Sequence, residues 1–273
     1  NNNGDVIFSG PTTITNRFVE GITINASGGD VIFGQVSGDI TLVQNQLNSQ
    51  NAAIEITANS NVRFSNAVVE GAQGNPGRGA GIDIVDNVFE DANGDGILDP
   101  GEDINGNGVL DVGRIRFTDL EVTSVDGIGI FGLNNHEINT DDGIVDTQNA
   151  AAINIEESGI NIHLEQVFST GSPDYGIRLV ETNKDERKTV LLQPNSVGNT
   201  LLTPGSGGII STAKGNGLDD NDSAGIYLSN AGQVTVTDVI LDDNEFGVRI
   251  DNTEVAGATV ADRDEQFFSL FDS

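Results

Sequence analysis

A short motif recurs along this chain: a small residue, Ile or Val, any residue, and a second aliphatic residue. The copies are Gly21-Ile22-Thr23-Ile24, Ala53-Ile54-Glu55-Ile56, Gly81-Ile82-Asp83-Ile84, Gly127-Ile128-Gly129-Ile130, Ala152-Ile153-Asn154-Ile155, Gly176-Ile177-Arg178-Leu179, Gly225-Ile226-Tyr227-Leu228 and Gly247-Val248-Arg249-Ile250. Such self-similarity indicates a stack of like units, each too small to bury its own apolar face. A repeat architecture is therefore the first expectation.

The spacing of the copies suggests which units carry insertions. From Ile54 to Val248 the first aliphatic residues lie 28, 46, 25, 24, 49 and 22 residues apart. A second apolar pair follows several copies, and in the 46-residue unit this pair is Ile115 and Phe117. We therefore interpret that unit as one repeat with an insertion, and the 49-residue spacing as two repeats with a poor copy at 208–210.

Each copy alternates with a period of two, which is typical of a β-strand with one buried face. Asn follows several copies after four to six residues, at positions 59, 87, 183, 230 and 252. Because Asn tolerates a left-handed backbone, these positions are predicted to be sharp corners between strands.

Coils of 22 to 25 residues with two or three short strands resemble the right-handed parallel β-helix of the pectate-lyase-like superfamily. The resemblance covers nearly the whole chain and implies an all-β solenoid, a single domain over residues 1–273. An antiparallel β-sandwich is the main alternative, because its short strands also alternate and recur every 8 to 12 residues.

The charge of the chain limits its partners. There are 42 acidic and 12 basic residues, a net charge of −30. Nucleic acid and anionic membranes are poor partners for such a surface. Cys is absent, which excludes disulfides and thiol catalysis, and no apolar run approaches the length of a membrane span.

The most chemically specific stretch lies inside the insertion, which we place at residues 87–113. It matches the EF-hand-type loop pattern at every defined position, with Gly96 at the turn. The predicted calcium ligands are Asp91, Asn93, Asp95, Ile97 through its carbonyl, Asp99 and Glu102. The acidic cluster repels itself without a cation, so Ca²⁺ is the predicted cofactor.

A second loop follows directly, with Asp103, Asn105, Asn107, Val109 and Asp111 as predicted ligands. Its twelfth position is Arg114, a cation where a carboxylate is expected, so the first loop should bind more tightly. The tandem loops resemble those of dockerins and thrombospondin type 3 repeats, which are extracellular calcium modules. That resemblance implies a structural role for the ion.

A polar ladder on one sheet is the only candidate for catalysis. We expect Glu55, Asp83, Gly129, Asn154, Arg178, Tyr227 and Arg249 to point outward one above another. Asp83 with Asp126, or Arg178 beside Asn154, could act on a polysaccharide, but no motif surrounds them. No catalytic or organic cofactor-binding residue is assigned.

The ends of a solenoid expose strand edges that must be covered. Residues 264–273 include the apolar cluster Phe267-Phe268-Ser269-Leu270-Phe271, which we interpret as a cap or as an assembly segment. Gly4-Asp5-Val6-Ile7-Phe8 recurs as Gly29-Asp30-Val31-Ile32-Phe33, so regular coils should begin at once. We expect self-association or contact with neighbouring domains through these ends.

These features favour a non-enzymatic, calcium-stabilised subunit of an extracellular bacterial surface assembly: a filament, a sheath or an adhesin stalk. The repeat style resembles that of filamentous-haemagglutinin-like surface proteins. The alternative is a β-helix polysaccharide lyase or glycoside hydrolase, and a trimeric phage tailspike is a third possibility. Polysaccharide is a possible partner, and insertion into a membrane is not expected.

Overall fold

The computed structural model describes residues 5–17, 20–25, 29–34, 41–45, 51–57, 61–71, 80–86, 113–182, 189–192, 207–213, 223–231, 233–237, 239–251 and 268–271. In this part of the chain there are 23 β-strands and no helix. In chain order they are β1 (Val6–Phe8), β2 (Thr12–Arg17), β3 (Ile22–Ile24), β4 (Val31–Phe33), β5 (Thr41–Asn45), β6 (Ile54–Ile56), β7 (Val62–Ser65), β8 (Ala67–Glu70), β9 (Ile82–Val85), β10 (Ile115–Ser124), β11 (Ile130–Leu133), β12 (Ile138–Gln148), β13 (Ile153–Glu156), β14 (Ile160–Leu164), β15 (Gln166–Thr170), β16 (Tyr175–Val180), β17 (Thr189–Leu192), β18 (Gly208–Ser211), β19 (Ala224–Ser229), β20 (Gln233–Thr237), β21 (Val239–Asp242), β22 (Val248–Ile250) and β23 (Phe268–Phe271).

The strands form three ladders. Ladder 1 contains β1, β4, β7, the first halves of β10 and β12, β14, β17, β20 and β23. Ladder 2 contains β2, β5, β8, the second halves of β10 and β12, β15, β18 and β21. Ladder 3 contains β3, β6, β9, β11, β13, β16, β19 and β22. The chain visits the ladders in rotation, so each passage through all three is one coil, and strands at equal height form a rung.

Every pair of described strands is parallel. This topology is consistent with a parallel β-helix. It excludes the antiparallel sandwich for the described residues, because face-to-face antiparallel sheets would pair neighbouring strands in opposite directions.

The register tests the interpretation of the two long spacings. Ile115 pairs with Val62 and Phe117 with Phe64, as the predicted insertion requires. The interpretation of the 49-residue spacing as two repeats was wrong. Ile177 pairs directly with Ile226 in ladder 3, so the spacing is one coil, and β18 belongs to ladder 2.

At each of the three corners, a non-glycine residue with a left-handed backbone conformation recurs on several coils. The non-glycine residues with positive φ are Asn66, Asp119 and Asp142 after ladder 1; Asn149, Thr212 and Asp243 after ladder 2; and Asp86, Asn134, Glu157, Glu181 and Asn230 after ladder 3. The predicted corner at Asn230 is confirmed, with φ of 49°. The other four predicted Asn corners lie outside the described residues. Asp and Asn suit these positions because their short side chains tolerate this backbone region.

An aromatic column runs through the core of ladder 1. Phe8, Phe33, Phe64 and Phe117 stack with successive centroid distances of 4.3, 4.6 and 5.3 Å. Phe64 and Phe117 are fully buried, whereas Phe8 on the first described rung is 43% exposed. The buried Thr140 continues the column and donates a hydrogen bond to the carbonyl of His163.

A column of small residues precedes ladder 3 and explains the first position of the motif. A Cβ on Gly129 would lie 2.5 Å from the carbonyl oxygen of Ala152 on the next rung. The backbones therefore approach too closely for a larger side chain there. At Gly247, near the end of the column, the nearest atom would be 3.8 Å away.

The first and last described strands both belong to ladder 1. Val6 pairs with Val31 and Phe8 with Phe33, so the near-identical segments around them are successive rungs. Within residues 264–273 the described part is β23, which pairs parallel with β20.

Candidate functional site

The outer face of ladder 3 carries the polar column that the motif predicts. In register it contains Thr23, Glu55, Asp83, Phe131, Asn154, Arg178, Tyr227 and Arg249. Neighbouring members lie on strands about 4.8 Å apart. One predicted member was wrong: Gly129 lies before β11, and Phe131 holds the outward position.

The pairing at β11 is shifted by two residues from the register that the motif predicts. Both Ile128 and Ile130 satisfy the alternation, but Ile130 pairs with Ile82 and Ile153. Gly129 occupies the crowded column of small residues, and Gly127 in the expected register is equally small, so the sequence allows both alignments. The sequence signal for Phe131 is an overlapping partial copy, Gly129-Ile130-Phe131, in which Gly132 replaces the second aliphatic residue.

Two carboxylates are neighbours at one end of this column. Glu55 pairs in register with Asp83, so both side chains leave the same face of adjacent strands. Asp83 is half-buried, and its Oδ1 atom is buried without a hydrogen-bond partner. Burial, followed by the charge of Glu55, raises the pKa of Asp83 to about 6. Asp126, the predicted partner of Asp83, instead accepts a hydrogen bond at its Oδ1 from Asn149 at a corner.

The middle of the column is a hydrogen-bonded cluster. Nη1 of Arg178 donates to Oδ1 of Asn154 at 3.1 Å and to Oε2 of Glu156 at 2.9 Å. The predicted proximity of Arg178 and Asn154 is therefore confirmed. Because the guanidinium is ion-paired, it is a poor candidate for the base of a lyase reaction.

Both tyrosines of the chain meet on this face. The rings of Tyr175 and Tyr227 stack at 4.9 Å, and Cζ of Arg249 lies 5.4 Å from the centroid of the Tyr227 ring. Arg249 also forms a 2.8 Å ion pair with Asp251. Burial, and then Tyr227, raise the pKa of Tyr175. Tyr227 is covered by neighbours on the rungs before and after it, so it does not offer an open ring face to a sugar.

The predicted calcium ligands, from Asp91 to Asp111, lie outside the described residues. Among the residues that the structure does describe, no group of three or more His, Cys, Asp or Glu side chains could hold a metal ion. Calcium binding therefore stays a prediction from the loop pattern.

His163 points outward between the buried Ile162 and Leu164. In the described part of the chain, no helix is long and apolar enough to cross a membrane.

No protein-family model, curated protein or solved structure matches this chain.

Proposed function

We propose that this chain is a non-enzymatic structural or adhesive subunit of an extracellular bacterial surface assembly, built as a right-handed parallel β-helix and stabilised by Ca²⁺. The observation that carries the proposal is the outer face of ladder 3, where the guanidinium groups of Arg178 and Arg249 are engaged by neighbouring side chains. A side chain that is engaged in this way stiffens the rod and is not held ready for a substrate.

The ion pairs illustrate this arrangement. Arg178 bonds to Asn154 and Glu156, Arg249 bonds to Asp251, and on ladder 1 Nη2 of Arg116 lies 3.2 Å from Oδ2 of Asp141. Each exposed pair contributes only about 0–1 kcal/mol. Pairs of this kind on two ladders favour regular stacking over a specific chemical step.

Calcium completes the proposal. Asp91, Asn93, Asp95, Asp99 and Glu102 supply the hard oxygen ligands that Ca²⁺ prefers, in a register that brings them to one centre. Two bound ions would add +4 to a net charge of −30, so the ion would order the insertion without neutralising the protein. Extracellular calcium is abundant enough for modules with millimolar affinity.

The test is localisation on intact cells of the source organism. Immunogold labelling with an antibody to the purified chain should decorate the outside of unpermeabilised cells, and proteinase treatment of those cells should remove the signal. A cytoplasmic marker protein serves as the control. Labelling that requires permeabilisation would contradict the proposal.

A second candidate function is glycoside hydrolysis, and the Glu55–Asp83 pair favours it. Carboxyl groups about 5–5.5 Å apart suit the retaining mechanism, a separation that adjacent strands about 4.8 Å apart can provide. Glu55, ionised, would attack the anomeric carbon, and protonated Asp83 would donate its proton to the leaving oxygen. Water would then cleave the glycosyl–enzyme bond with Asp83 acting as the base.

The test of this candidate is release of reducing ends from a panel of neutral and acidic polysaccharides. Activity that disappears in both Glu55→Gln and Asp83→Asn, and persists in the ladder 2 control Glu70→Gln, would support hydrolysis. Equal activity in all three variants would rule out this pair.

A further inference from the structure

The outer face of ladder 2 carries an apolar stripe, defined by Phe168, Ile209 and Ile240. The three residues pair in register on successive rungs, so their side chains lie one above another. Ile209 is 38% exposed and Ile240 is 40% exposed, while Phe168 is partly buried. Exposed apolar side chains are normally scattered singly over a protein surface. Large aliphatic side chains exposed on consecutive rungs are therefore unusual.

The charges around the stripe have one sign. Asp146 precedes Phe168 in the same column, and burial raises its pKa. Asp242 follows Ile240 by two residues on the same strand face and is exposed, as is Glu121 lower on the ladder. From β5 to β21, the described strands of this ladder contain no Lys or Arg.

We infer that the stripe is a docking surface for a basic, apolar, extended segment of another protein. Leucine-like side chains of such a segment would cover Phe168, Ile209 and Ile240, and its Lys or Arg side chains would reach Asp146 and Asp242. The inference rests on the proposed structural role and adds to it the chemistry of a partner.

Charge distinguishes this partner from a second copy of the chain. Two copies each carry a net charge of −30. Pairing of their stripes would bring carboxylates of both copies together, and no described cation lies beside either stripe. Like charges in contact oppose association, whereas a basic segment turns the same carboxylates into attractive partners. Three rungs span about 10 Å between the outer strands, which an extended segment of about three to five residues covers.

The probe is a short fluorescent peptide that alternates lysine and leucine, titrated into the purified chain and followed by anisotropy. A lysine–serine peptide controls for charge alone, and a glutamate–leucine peptide controls for apolarity alone. We expect the lysine–leucine peptide to bind more tightly than either. The double variant Ile209→Asn, Ile240→Asn should weaken its binding about tenfold, while Val180→Asn on ladder 3 should not change it.

Ile209→Asp gives the sharpest contrast. General attraction to an acidic protein predicts tighter binding of the basic peptide, because the variant adds a negative charge. Docking on the stripe predicts weaker binding, because an apolar contact is lost. Circular dichroism confirms that each variant is folded.

Three results would overturn the inference: equal binding of the lysine–leucine and lysine–serine peptides, tighter binding to Ile209→Asp, or sedimentation showing self-association that Ile209→Asp abolishes. The last result would identify a second copy as the occupant. None of these results bears on where the protein resides, which the labelling experiment decides separately.

Discussion

The rings of Phe33 and Phe64 stack with centroids 4.6 Å apart and planes within 4° of each other. Their strands are consecutive rungs of ladder 1, paired Phe33 to Phe64. Each ring therefore packs against the ring on the next rung. The contribution of a ring to stability depends on how many of its two faces are covered.

Phe64→Ala should destabilise the protein by about 3–5 kcal/mol, because Phe64 is fully buried between Phe33 and Phe117. Phe8→Ala, with the same chemistry at a ring that is 43% exposed, should cost clearly less. Urea unfolding followed by circular dichroism measures both. Equal losses for the two variants would show that the column does not extend as described.

Gly129→Ala should destabilise the fold by about 1–3 kcal/mol, because its Cβ would lie 2.5 Å from the Ala152 carbonyl oxygen and from Cγ1 of Val145. Gly247→Ala is the matched control, since its Cβ would meet nothing closer than 3.8 Å. That variant should change stability by about 0.5 kcal/mol or less. Thermal unfolding of the two variants side by side decides the matter, and a neutral Gly129→Ala would disprove the close approach.

Asp83 should make the protein more stable as the pH falls from 7 towards 4. Its folded pKa is about 6 and its ordinary value is 3.8, so the folded state holds the proton more tightly than the unfolded chain. The cost of ionised Asp83 is present in full above pH 6, decreases as the pH falls through 6, and is absent below 3.8. With allowance for solvent screening of a half-buried group, this amounts to about 1–2 kcal/mol.

The comparison of wild type with Asp83→Asn isolates this effect from the other carboxylates. The difference in unfolding free energy between the two should vary with pH in that window and be constant below it. Carbon-detected NMR should also show that Glu55→Gln lowers the pKa of Asp83. An unchanged pKa of Asp83 in that variant would show that the two carboxylates are not electrostatically coupled.

Glu102→Gln should weaken calcium binding about tenfold or more, because it removes the bidentate carboxylate at the twelfth position of the first loop. Isothermal titration calorimetry measures the affinity. Asp220→Asn, in the acidic run 219–222 that lacks the loop register, is the control and should leave the affinity unchanged. Unaltered binding in Glu102→Gln would refute the assigned register.

The sequence predicted the register between rungs wherever only one alignment of the apolar residues was possible. Ile115 and Phe117 could be aligned with Val62 and Phe64 across the insertion because both pairs alternate and no competing pair is near. It could not separate Ile128 from Ile130, since both follow a glycine and both satisfy the alternation. Nor could length alone show that Ile177 and Ile226 belong to adjacent rungs.

The candidate site was predictable only as a column. Period-two alternation places Glu55 and Asp83 on the same face, but their adjacency requires the register between β6 and β9. The raised pKa of Asp83 depends on burial by its surroundings, which a strand pattern does not reveal. The apolar stripe was missed for the same reason, because Phe168, Ile209 and Ile240 come together only through pairing across coils of unequal length.

Pairing across ladder 1 continues without a shift from Val62 to Ile115, although 52 residues separate them in the chain. Whatever lies between β9 and β10 thus joins the scaffold at a corner and leaves the hydrogen-bond register of its neighbours intact. An engineer could exchange the insertion at residues 87–113 for a foreign epitope or a folded cargo of another length. The β-helix would then serve as a display platform, with its geometry set by the strand pairing on either side of the graft.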